Sequence, residues 1–123
     1  MCRFRIDQGY DIPRISQSLD IISVTTYDLR GDWDGRADHH APLRSRSTDA
    51  SVYKSLNIED GIKYWIAAGA PREKLLLGVP FYARSYTLAN PSMNYPGSLV
   101  RLFIMAVYLY SRLHKTFINN LLL

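Results

Sequence analysis

Apolar stretches of differing period punctuate the chain. Residues 20–27 read Asp-Ile-Ile-Ser-Val-Thr-Thr-Tyr, near-continuous in hydrophobicity and rich in the β-branched side chains that suit a pleated backbone. Such a run predicts a parallel strand buried on both faces, ending in Tyr27 and Asp28. Residues 57–68 carry a helical period instead. Ile58, Ile62, Trp65 and Ile66 form one apolar stripe, Asn57 is a good N-cap, and Glu59 and Asp60 lie in the first turn, where the helix dipole favours carboxylates. Gly69 supplies a C-terminal stop, Pro71 prevents continuation, and residues 75–81 follow as a second apolar strand run. Strand, helix, strand in that order predicts a right-handed crossover between parallel neighbours. Tyr27 and Asp28 should then emerge at the same edge as Tyr82 and Arg84, the edge at which α/β folds bind ligands.

Upstream, residues 9–19 contain Pro13, which fits the first turn of a short helix, with Ile12, Ile15 and Leu19 spaced to share a face. Residues 28–56 show no strong period and are rich in Gly, Asp, Arg, Ser and His. They predict a long loop of the kind that carries function or is disordered. Trp33 stands out within it, offering a flat apolar face or a lid on the core.

With 123 residues, 47% hydrophobic and 21% charged, the composition is that of one globular domain with a modest core. The net charge of +4 changes meaning once it is located. Residues 99–123 hold Arg101, Arg112 and Lys115 with no acid, which leaves the remainder nearly neutral and gives no support for a nucleic-acid partner. Cys2 is the only cysteine, excluding an internal disulfide and a cysteine-based metal site. The adjacent His39 and His40 lack a carboxylate at ligand spacing and read as solvated loop residues, so no metal is expected. Ser45, Ser47 and Ser51 form no nucleophile elbow, Gly31, Gly35 and Gly97 form no phosphate loop, and no cofactor is implied. The first residues lack the apolar core of a signal peptide. Arg101 and Arg112 bracket too short a run for the roughly 20 apolar residues of a membrane span, so no membrane partner is expected.

The motifs Val24-Thr-Thr-Tyr-Asp-Leu29, Gly31-Asp-Trp-Asp-Gly35, Ala41-Pro-Leu43, Leu56-Asn57, Gly69-Ala-Pro71 and Lys74-Leu-Leu-Leu-Gly-Val-Pro-Phe-Tyr-Ala-Arg-Ser-Tyr86 resemble glycoside hydrolase family 18, the chitinases and chitinase-like lectins, in an arthropod form. The resemblance covers about residues 9–95. It implies an α/β fold that is a fragment of a (β/α)8 TIM barrel, comprising its strand six, helix six and strand seven. Residues 1–97 would be a partial catalytic domain and residues 98–123 an apolar, basic tail not matching the family. The tail reads as sequence not selected for this fold, with a core-covering helix or a membrane-surface helix as rivals; its apolar residues are not confined to the single stripe that the last requires.

By the same resemblance the substrate is chitin or a chitooligosaccharide, cleaved with retention and with help from the substrate's own acetamide. Tyr27 and Asp28 match the pair that holds the N-acetyl group and sugar hydroxyls, Tyr82 and Arg84 match the element beside it, and Trp33 matches a sugar-stacking residue. The residue types suit that chemistry: a phenol orients the acetamide carbonyl, while a carboxylate and a guanidinium fix hydroxyls through charged hydrogen bonds. The chain departs from the family pattern at Thr25, where methionine is usual, and at Ala83, where glycine is usual. It also lacks the Asp-x-x-Asp-x-Asp-x-Glu motif whose glutamate is the catalytic acid; the glutamates present, Glu59 and Glu73, have no such context. The resemblance therefore implies no catalytic residue in this chain and an extracellular setting. The readings it leaves open are a partial chitinase domain inactive by itself, a non-catalytic chitin-oligosaccharide binder, and a truncated product without function of its own.

Overall fold

A computed structural model describes residues 3–101 and 107–109. Helices α1 (Arg3–Gly9) and α2 (Ile12–Ser18) precede strand β1 (Ile22–Val24); after the long loop come α3 (Ile58–Ala67), β2 (Leu75–Leu77), β3 (Tyr82–Arg84) and β4 (Val107–Leu109). β1 and β2 pair in parallel with Ile22 opposite Leu75 and Val24 opposite Leu77, and α3 lies between them in sequence, as the apolar periods predict. The Gly78 amide extends the ladder by donating to the Val24 carbonyl at 3.0 Å. A second pair, β3 with β4, is antiparallel.

The helix ends follow from local chemistry. Asn57 caps α3 by accepting from the Asp60 amide at 2.9 Å, and its own amide donates to the Lys54 carbonyl at 2.7 Å. At the other end Gly69 takes φ 106°, and the amides of Gly69 and Ala70 return to the carbonyls of Ile66 and Trp65, which makes the residue-69 glycine a Schellman-type stop. In α2 the Asp11 carboxylate accepts from the Arg14 amide, and Pro13 sits in the first turn. Lys74 reaches back to the Ser16 and Leu19 carbonyls at 2.8 and 2.9 Å, tying the entry of β2 to the end of that helix.

The core is Ile6, Ile12, Ile22, Val24, Trp65 and Ala70, with Ile15, Ile62, Tyr64, Ala68 and Leu75 packed against it. Several expectations need correction here. The strands are short, and β1 is buried on one face only, with Ser23 exposed between Ile22 and Val24. Leu76, on the face that the helices leave uncovered, is likewise exposed, and so are Leu77 at the end of β2 and Val79 and Phe81 beyond it. On α3 the buried line runs through Gly61 and Trp65, with Ile62 partly covered and Ile58 and Ile66 at its margins. In α2 the helix ends at Ser18, so Leu19 turns extended and leaves the shared face, while Ser16 is buried in its place.

The loop from 28 to 56 is ordered by charge. Arg30, whose side chain is 4% exposed, pairs with Asp34 at 3.0 Å and with the equally buried Asp38 at 3.1 Å, and its guanidinium lies 3.6 Å from the Tyr53 ring centroid. Arg46 bridges Asp38 and Asp49, each at 2.7 Å. The Ile58 and Glu59 amides donate to the carbonyls of Pro42 and Leu43, which fastens the loop to the start of α3. Of the tail, residues 107–109 form a strand rather than part of either helix considered from the sequence. Its residues 102–106 and 110–123 lie outside the described residues.

Candidate functional site

Beyond Val24 the backbone of the first strand runs on through Thr25 and Thr26 to the carboxyl edge. Thr26 is buried and its hydroxyl donates to the Gly78 carbonyl, locking the ends of β1 and β2 together. Gly78 is needed there: a β-carbon at that position would stand 2.9 Å from the Val24 carbonyl oxygen and 3.0 Å from the Tyr27 ring. The phenol of Tyr27 can therefore lie close over the backbone, meeting Tyr82 edge-on with ring centroids 6.0 Å apart.

Asp28 is the centre of the arrangement. Arg84 donates to its Oδ1 from Nε at 2.9 Å and from Nη2 at 2.7 Å. Burial pushes the Asp28 carboxyl up, but hydrogen bonds from Tyr82 and Arg84, with the charge of Arg84, outweigh it and hold the carboxyl below its ordinary value. The Tyr82 phenol is pushed up to about 12, first by burial and then by its hydrogen bond to Asp28. Asp28 is thus an anion and Tyr82 a neutral donor across the physiological range. The Asp28 side chain keeps 38% exposure, room enough to accept from a ligand hydroxyl.

Trp33 sits in a 3-10 turn, Asp32–Asp34, closed by Gly35 at φ 66°. Its indole folds over Gly31 so closely that a β-carbon on Gly31 would stand 2.4 Å from two of its ring carbons. Asp34 accepts from the Gly31 amide at 3.1 Å and from Arg30 Nε at 3.0 Å, so the charged loop also fixes this turn. The outcome is an indole 56% exposed, with the Arg84 guanidinium 4.9 Å from its ring centroid.

All five residues singled out from the sequence, Tyr27, Asp28, Trp33, Tyr82 and Arg84, are therefore joined in one chain of contacts. Tyr27, Asp28 and Trp33 line an open cleft of about 590 Å³ together with Thr25, Leu29, Leu56 and Arg5. Tyr82 and Arg84 support Asp28 from behind that lining. Ala83 is exposed and alternates away from both on β3, so its methyl does not crowd the site. Thr25 stands in the cleft itself.

Arg5, Leu56 and above all His40 are missed by sequence reasoning. The expectation of a solvated His40 is corrected: its side chain is only 12% exposed and its ring stacks on Tyr82, with centroids 4.8 Å apart. His39 beside it is exposed. Nothing in the spacing of two adjacent histidines distinguishes them, because the distinction comes from which one the loop turns toward β3.

A phenol, an anion, a guanidinium and an exposed indole thus stand together at the carboxyl edge of a parallel pair, and the fold that carries them is shared with known proteins. The catalytic domain 2 of the Ostrinia furnacalis Group II chitinase, solved in complex with penta-N-acetylchitooctaose, superposes with a TM-score of 0.76 at 35% identity, covering 80% of this chain and 25% of that one. YKL-39, a human pseudo-chitinase with retained chitooligosaccharide binding properties, superposes with a TM-score of 0.73 at 31% identity, covering 77% of this chain and 26% of that one. The Manduca sexta endochitinase is 46% identical over 95 residues, 77% of this chain; the chain spans 17% of that relative's length. The family model for glycosyl hydrolases family 18 matches residues 2–117. The chain belongs to that family, as a partial domain resembling insect chitinases.

Proposed function

We propose that the chain supplies the carbohydrate-binding side of a chitin-hydrolase cleft and that it releases no sugar by itself. In this reading β1, α3 and β2–β3 correspond to strand six, helix six and strand seven of the (β/α)8 barrel. Residues 1–97 then carry all of the quoted motifs of the partial catalytic domain, while the family match runs on to residue 117, into the segment 98–123 that the sequence reading set apart as a tail. The observation that carries the proposal is the set of contacts around Asp28, where a carboxylate held ionised by Arg84 and Tyr82 faces the cleft beside Tyr27 and an exposed Trp33.

In a chitooligosaccharide, Tyr27 would orient the acetamide carbonyl for attack on the sugar's own anomeric carbon. Asp28 and Arg84 would fix the acetamide N–H and ring hydroxyls by charged hydrogen bonds, and Trp33 would stack on a neighbouring ring. The leaving oxygen still has to be protonated. General-acid help is worth roughly 10²–10⁴ in rate, and neither Glu59, ion-paired with Lys63 and Arg44 on α3, nor Glu73 is placed to give it. An extracellular setting and a part in chitin breakdown belong to the same proposal.

A second reading, a non-catalytic binder, is favoured by the same missing acid and by the likeness to a pseudo-chitinase. Incubation of the purified chain with chitooligosaccharides separates the possibilities. Binding without product fits both readings, product above a buffer control overturns them, and neither binding nor product leaves a truncated piece without function of its own. Placed in a complete family barrel, the segment distinguishes the first two: Asp28→Asn lowers kcat more than it raises KM if the residue orients the acetamide, and changes KM alone if it only binds.

A further inference from the structure

Asp28 holds a backbone conformation rare for a residue with a side chain. Its φ of 55° lies in the left-handed region, and it is the one non-glycine residue with positive φ among the described residues. Strain of this kind persists only where neighbours over-determine it. The neighbour that does so is His40. The Asp28 amide donates to His40 Nδ1 at 3.3 Å, and the next amide, of Leu29, donates to the His40 carbonyl at 2.8 Å. On its other side the His40 Nε2 lies 3.2 Å from the Tyr82 carbonyl oxygen, and the imidazole stacks on the Tyr82 ring at an interplanar angle of 27°.

A single tautomer satisfies both ring nitrogens. Nδ1 must present a lone pair to the Asp28 amide, so the proton sits on Nε2 and is donated to the Tyr82 carbonyl. We propose that His40 is the positioning residue of the sugar site: as the neutral Nε2–H tautomer it locks the left-handed Asp28 and the strand carrying Tyr82 and Arg84 into one unit before any ligand arrives. The proposal rests on reading the cleft as a chitooligosaccharide site, and it assigns a role to a residue outside the set that would touch the sugar.

The charged and titratable groups facing the ring are Asp28 from the end of β1, with Oδ1 3.4 Å from Nδ1, Tyr82 and the Asp28-bound Arg84 from β3, and Tyr27 edge-on to Tyr82. Protonating Nδ1 would set two donors, its own N–H and the Asp28 amide, against each other. The new proton would turn to Asp28 Oδ1, trading the backbone lock for an ion pair and competing with Arg84 for that oxygen.

The test is nitrogen NMR of the full chain labelled at histidine, with titration by chitotetraose. The expected result is an unprotonated Nδ1 and a protonated Nε2 on His40, and an Asp28 amide resonance that moves when His40 is replaced. The opposite tautomer, or an Asp28 amide indifferent to His40, overturns the proposal. His40→Phe keeps the stacking alone and should weaken chitotetraose binding about tenfold, roughly 1.4 kcal/mol. His40→Asn returns an acceptor oxygen near the Nδ1 position and should recover most of that loss; equal affinities for the parent and His40→Phe, or no recovery in His40→Asn, overturn it. Should the parent bind no chitotetraose, the carbohydrate reading fails, yet the tautomer and the Asp28 amide still decide the role of His40. The same variants in a complete family barrel carrying residues 20–86 give an independent readout: His40→Phe should lower kcat and His40→Asn restore it.

Discussion

The two halves of this molecule are held together by different physics. Around Trp65, Ile22 and Val24 the packing is apolar, and helices seal one face of a short parallel pair. In the loop from 28 to 56 the equivalent of a core is ionic, with Arg30 and Asp38 buried together and Arg46, Asp49 and Tyr53 around them. The first half sets where the carboxyl edge lies. The second sets what stands at it, because the same network holds the Trp33 turn and the segment leading to His40. Stability and ligand recognition are therefore expected to separate along this division.

The largest effect should come from the apolar half. Trp65→Ala removes an aromatic ring only 2% exposed and should cost about 3–5 kcal/mol, enough to abolish cooperative unfolding in a urea titration followed by circular dichroism. Asp38→Asn takes the shared anion from between Arg30 and Arg46 and should cost about 1–3 kcal/mol, concentrated in the loop. Hydrogen exchange is the measurement: amides of residues 28–56 should lose protection while those of β1 and α3 keep theirs, and a uniform loss would erase the division. Gly31→Ala should leave the melt nearly unchanged but push the Trp33 indole from its seat, weakening chitotetraose binding roughly tenfold in calorimetry. The smallest effect belongs to Lys63→Ala, which opens an exposed pair with Glu59 on α3 and should move neither the melting temperature nor the affinity measurably.

Acid should sharpen the same contrast. The Asp28 carboxyl lies below its ordinary 3.8 in the folded chain, so its contribution is present above that value and is lost as pH falls through the lowered one. Tyr82 is raised, so its contribution is complete below the ordinary 10 and fades as pH rises toward about 12. Binding followed from pH 5 to 10 should accordingly carry no inflection from either group.

What the sequence discloses follows from the same physics. Apolar burial imposes a period, so the order of β1, α3 and β2 is legible, as are the Asn57 cap and the Gly69 stop. Their phase is less so: the buried line on α3 passes through Gly61 because close packing can use a residue with no side chain at all, and Leu19 fails its face because the helix ends one residue earlier. Ion pairs across a loop have no period, so the partners of Arg30 and Arg46 were not readable from spacing. The candidate residues Tyr27, Asp28, Tyr82 and Arg84 are legible through motif resemblance and through their place near strand ends, and Trp33 through its motif alone. His40 is not, since its part depends on the loop's path past β3.

The most direct test of the account is an amide chemical-shift map of the full chain titrated with chitotetraose. The account predicts saturable shifts clustered at Tyr27, Asp28, Trp33, His40 and Arg84, with a dissociation constant on the order of millimolar. It also predicts silence from the amides of α2 and α3. Shifts centred on the Arg30 and Asp38 side of the loop, or no saturable shift at millimolar sugar, would contradict it.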